Sequence, residues 1–132
     1  MVRKFFNLSQ RRRRLIIEAL LLSFFAWVKD FSKLKSIKPL GIEGDRDLIL
    51  LKDISWAIKV ISKRVPWNCV CRHQALMAIL LCKRYGQGLE VFVGFRKDPL
   101  SGRIDGHSWT MAGDLFISGK CVVSEYQIQV IR

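Results

Sequence analysis

The apolar residues of this chain change period once. Up to Tyr85 they recur at helical spacing, and from Leu89 onward they alternate. That is a switch from a 3.6-residue to a 2-residue period, with helices first and strands second. Residues 9 to 35 read as the first helix, with Ser9 as N-cap, Leu15, Ala19, Leu22 and Ala26 along one side, and Leu21, Phe25 and Val28 on the adjoining flank. Lys35 to Asp47, with Pro39, Gly41 and Gly44, reads as a loop. A second helix is expected from Leu48 to Lys63, carrying Leu51, Ile54, Ile58 and Ile61 on one face and ended by Pro66. A third runs from Cys71 to Tyr85, with Ala75, Ala78, Ile79 and Cys82 on one face and Gly86 as its stop. Strands are expected at Leu89 to Phe95, His107 to Met111, Leu115 to Ser118 and Glu125 to Ile131, with a long loop over Lys97 to Gly106 and a turn at Gly113-Asp114. Helices followed by an antiparallel meander predict an α+β fold.

At 132 residues, half of them hydrophobic, the chain is long enough for one folded core and too apolar to be disordered. The formal net charge of +12 points to an anionic partner without choosing between nucleic acid and an acidic peptide or protein. Arg11 to Arg14 sit at the wrong end of the first helix for its macrodipole. They read as a solvated first turn, the alternative being an acidic partner or a membrane surface. Leu15 to Val28 is interrupted by Glu18 and too short for a membrane-spanning helix, and no small-residue cleavage site follows it. The expectation is therefore a cytoplasmic chain with reduced thiols and no transmembrane segment.

Four cysteines, at 69, 71, 82 and 121, and two histidines, at 73 and 107, carry the chemistry. Cys69 and Cys71 followed by His73 have no second pair at finger-like spacing, so no metal or other cofactor is expected. A nucleophilic thiol needs a helix N-terminus, partial exposure and a fixed position. Cys71 meets these best, with Cys69, in the approach from Pro66, as runner-up. Cys82 falls on the buried face of the third helix and Cys121 in the final loop. His73 lies two residues from Cys71 on the same helix and points to a different face. His107, on a strand, is the candidate general base.

Pro66-Trp67, Cys71, Gln74-Ala75-Leu76, Arg84-Tyr85-Gly86, Val93-Gly94-Phe95-Arg96 and Gly106-His107-Ser108-Trp109 before a Gly113-Asp114 turn occur in that order. Together they resemble the lasso-peptide leader peptidases, transglutaminase-like cysteine proteases of the microcin-processing maturation protein family. The resemblance favours Cys71 over Cys69. It implies a helical extension over residues 1–40, used for docking. It also implies a transglutaminase-like or papain-like peptidase core over 41–132, with a central helix packed on an antiparallel sheet. The implied activity is removal of the leader from a ribosomally made precursor peptide, with Cys71 as nucleophile and His107 as general base and acid. A separate leader-recognition protein and the lasso cyclase are the implied partners, with no role for nucleic acid.

The family's third catalytic member is an aspartate on the strand after the histidine. A two-residue turn at Gly113-Asp114 pairs Trp109 with Ser118 and His107 with Lys120, so the carboxylate belongs near 118 to 120, where Ser118, Gly119 and Lys120 stand. Either the register differs and Asp114 orients His107, or Ser118 or a backbone carbonyl does. The competing reading is a non-catalytic basic module that binds an acidic protein or nucleic acid through Arg11 to Arg14 and Lys29 to Lys38. No helix-turn-helix and no aromatic-studded basic strand supports it.

Overall fold

The computed structural model describes residues 5–28 and 46–131. Three helices, α1 (Gln10–Val28), α2 (Leu48–Arg64) and α3 (Cys71–Arg84), precede four strands, β1 (Glu90–Lys97), β2 (Ile104–Ala112), β3 (Leu115–Ser118) and β4 (Gln127–Ile131). The strands form one antiparallel sheet, and the fold is α+β. The remainder of the predicted first helix (29–35), most of the following loop, Lys29 to Lys38 and the expected boundary at residue 40 lie outside the described residues.

Each helix begins where a side chain takes up free N–H groups. Ser9 Oγ accepts from Arg12 N–H at 3.3 Å, and Asp47, read from the sequence as loop, caps α2 by accepting from Leu50 N–H at 3.0 Å. Leu51, Ile54, Ile58 and Ile61 of α2 are buried as their spacing requires. α3 is buried nearly all round, from Ala75 through Ala78, Ile79, Leu81 and Cys82, as befits a helix with neighbours on several sides. α1 contributes Leu15 and Ala19 to the same core as α2 and α3.

The arginine run is a latch. Arg11 and Arg12 both grip the buried carboxylate of Asp53 on α2, at 2.7 and 3.1 Å, and Arg12 also lies over the Trp56 ring. Glu18 takes Arg14 at 3.2 Å, Arg84 at 3.1 Å and the Tyr85 hydroxyl at 2.8 Å. Arg11 and Arg12 thus hold α1 to α2, in place of the solvated turn expected from their position, while Arg14 pairs within α1. Asp53 lies 42 residues from Arg11 and 41 from Arg12, beyond any local pattern.

Two details of the sheet depart from the sequence reading. The predicted loop over 97–106 shortens, because Phe95, Arg96 and Lys97 pair with Gly106, Asp105 and Ile104. The sheet is also not a simple meander: its order is β3-β2-β1-β4, so β4 leaves the β3 edge and pairs with β1 on the far side. The connection over residues 119–126 crosses the sheet to get there, and it decides the surroundings of His107.

Candidate active site

α3 begins at Cys71, which places the thiol in the first turn, at the positive end of the helix dipole. The N-cap is Val70, whose side chain cannot accept a hydrogen bond. His73 supplies the cap in reverse: its Nδ1 accepts from Val70 N–H at 3.2 Å. Burial, and then the neighbouring Arg72 charge, hold His73 below its usual range, which keeps the acceptor nitrogen free of a proton. The approach to Cys71 is fixed by Gln74, whose side-chain N–H donates to Cys69 O at 3.0 Å.

The other three thiols are set up against reactivity. Cys69 Sγ lies 3.4 Å from Ser62 Oγ and 3.6 Å from Met77 Sδ, and burial raises its pKa against the smaller opposing effect of Ser62. Cys82 is fully buried and pushed up to about 12. Burial, and then the Glu125 charge, raise Cys121.

His107 on β2 and Cys71 line one open cleft of about 550 Å³ between α2, the start of α3 and the β3 edge of the sheet. The structure thus brings the two sequence-predicted residues to one site. The imidazole is held in three directions. Its Nε2 lies 2.7 Å from Gly119 O, and because a carbonyl can only accept, Nε2 carries the proton. That leaves Nδ1 as the basic nitrogen. The ring packs against both Trp109 (5.9 Å, 22°) and Tyr126 (5.6 Å, 29°), which also touch each other at 5.7 Å. Gly119 and Tyr126 stand at the two ends of the crossing connection, so the path from β3 to β4 builds the clamp.

The structure does not bring Asp114 to His107. The two-residue turn forms, with Ala112 paired to Leu115, and Asp114 is exposed at its tip. Strand geometry puts that tip about 20 Å from His107. A bulge between Thr110 and Met111 then gives β3 one extra residue, so Thr110 and not Trp109 opposes Ser118. Ser118 Oγ is buried and bonded to Thr110 Oγ1 at 2.7 Å. Continuing that register sets Gly119 beside Trp109, and from there its carbonyl reaches the His107 ring. Gly119 has φ +69, and a Cβ there would overlap the Ser108 carbonyl and lie 3.0 Å from Trp109 Cα. The sequence allowed a backbone carbonyl in this role without singling out Gly119, and it gave no sign of Tyr126. The only local trace of the first is a glycine directly after a strand.

The transglutaminase-like superfamily model matches residues 19–130, from within α1 to β4. The chain belongs to the transglutaminase-like superfamily. No curated protein and no solved structure matches it. A transglutaminase-like core accounts for a central helix presenting its first turn to an antiparallel sheet, and the superfamily includes cysteine proteases. Among the described residues no cluster of three or more histidine, cysteine or acidic side chains offers a metal site. No described helix is long and apolar enough to cross a membrane.

Proposed function

We propose that this chain is a cysteine peptidase that removes the leader from a ribosomally made lasso-peptide precursor. The observation that carries the peptidase reading is the pair itself. A thiol in the first turn of the central helix shares a cleft with an imidazole whose Nε2–H is tied to a carbonyl, leaving Nδ1 as the base. Nδ1 takes the Cys71 proton as sulfur attacks the scissile carbonyl carbon. The imidazolium then gives that proton to the departing amine as the C–N bond breaks, leaving a thioester. A water molecule, deprotonated by His107, attacks the thioester carbonyl and releases the carboxylate and the thiol. No cofactor enters this sequence.

The leader-peptidase specificity rests on the ordered motifs from Pro66-Trp67 to Gly106-His107-Ser108-Trp109. The apolar outer face of α1, where Leu21, Phe24 and Trp27 are exposed, is the candidate surface for a leader-recognition protein. Mass spectrometry of a precursor incubated with this chain, with and without such a partner, tests the reading. Leader release is expected for the native chain and not for Cys71→Ala. Release that survives the substitution refutes the assignment.

A further inference from the structure

Among the described residues, the walls of the cleft carry cations and no carboxylate. Lys59 and Lys63 lie four residues apart on α2, hence on one helix face, and both line the cleft beside Cys71. Lys120, next to the carbonyl that holds His107, lines it from the sheet side. All three are exposed, and none is in an ion pair among the described residues. The carboxylates that would neutralise them are committed elsewhere. Asp53, on the same helix, is turned away to Arg11 and Arg12, Glu18 is taken by Arg14 and Arg84, and Glu125 by Arg96. Between the lysines the floor is apolar, formed by Ile58, Phe116 and Ile117.

We infer that the cleft selects an extended peptide bearing carboxylate side chains within a few residues of the bond to be cut. Lys59, Lys63 and Lys120 are the specificity-determining cations. This rests on the peptidase reading for the word "cut", but the selection is a binding property. Low-dielectric walls of one sign concentrate the opposite charge. Each exposed cation–carboxylate contact is worth roughly 1.5- to 5-fold in affinity, so three acting together give about 10-fold. A polyanion such as single-stranded DNA would also feel the field. A nucleic-acid site, however, calls for aromatic faces between the cations, and among the described lining residues only Phe116 and the His107 ring are aromatic.

The test uses the full chain with Cys71→Ala, so that nothing is turned over. Fluorescence anisotropy compares a labelled decapeptide of Gly, Ser and Leu carrying two adjacent Glu with its Gln and Lys counterparts, and with a dT decamer as competitor. The Glu peptide is expected to bind about 10-fold tighter than the Gln peptide at low ionic strength, and the ratio is expected to collapse near 1 M salt. Lys59→Gln/Lys63→Gln/Lys120→Gln levels the two peptides, and the corresponding triple Arg variant keeps the preference. Should the triple Gln variant unfold, the three single variants each give up part of it. Equal binding of Glu and Gln peptides, a preference that survives loss of the lysines, or displacement of the Glu peptide by equimolar dT decamer overturns the inference. If Cys71→Ala discriminates while the native chain cuts no peptide, only the peptidase reading fails. If the native chain cuts Glu and Gln peptides alike, only this inference does.

Discussion

Gly119→Ala separates a positioning role for the Gly119 carbonyl from a merely structural one. An alanine at φ +69 costs about 1–2 kcal/mol, and the overlap of its Cβ with the Ser108 carbonyl and the Trp109 backbone adds strain of similar size. A total near 3 kcal/mol lowers the melting temperature by roughly 10 °C. A domain of ordinary stability would still be more than nine-tenths folded at 20 °C. Unfolding therefore removes less than a tenth of the activity. Relief of the overlap, however, moves Gly119 O relative to His107 Nε2, now 2.7 Å apart. A shift of about 1 Å in a catalytic group costs on the order of 100-fold. The assays are kcat/KM on the precursor and the iodoacetamide alkylation rate of Cys71, both at 20 °C, with Asp114→Asn as the control expected to change neither by more than about twofold. NMR of the His107 ring adds a readout that a purely structural glycine would not move: a single Nε2–H tautomer in the native chain and a mixture in the variant. If folded Gly119→Ala keeps both rates within threefold and its tautomer unchanged, the carbonyl does not position the imidazole.

Further outcomes follow from the same geometry. At pH 7 iodoacetamide should label Cys71 first and Cys82 last, since burial pushes Cys82 up to about 12 and also raises Cys69 and Cys121; peptide mapping in which Cys69 leads would return the nucleophile to the runner-up. Asp53→Ala releases Arg11 and Arg12, which are two-fifths exposed and can rehydrate, so its cost is about 1–2 kcal/mol and not that of a fully buried pair; thermal melts should fall by roughly 5 °C, and an unchanged melt would remove the latch from the account. His73 has its folded pKa below the ordinary 6.5, so the folded state favours the neutral ring. Its contribution is complete above 6.5 and is lost as pH falls below that value toward the folded pKa. Urea titrations between pH 7.5 and 5 should show a steeper loss of stability for the native chain than for His73→Ala, and parallel curves would rule out the histidine cap.

What could be read from the sequence was whatever rests on side-chain type and short spacing. The helix faces through Leu51, Ile54, Ile58 and Ile61, the start of α3 at Cys71 and the strand carrying His107 all follow from periodicity and caps, which act over a few residues. The Asp53 latch, the path of β4 and the bulge in β3 were not legible, because each is decided by a partner far along the chain. The third support of the histidine could be given only as some backbone carbonyl, one alternative among three, for a different reason. A search for it looks for a carboxylate, amide or hydroxyl at a fixed offset, and here it is a main-chain oxygen, which every residue possesses. The bulge moves the register by one residue, and a residue with positive φ then turns its carbonyl toward the ring. Because a carbonyl contributes a dipole and no net charge, it can fix the tautomer and the orientation of His107 but gives little Coulombic support to the imidazolium. In a cleft whose other charges are lysines, that support must come from the thiolate itself. On the proposed mechanism the charged pair formed as Cys71 attacks has only its two members and the first turn of α3 to hold it, so replacing either member should remove nearly all of the activity that replacing both removes.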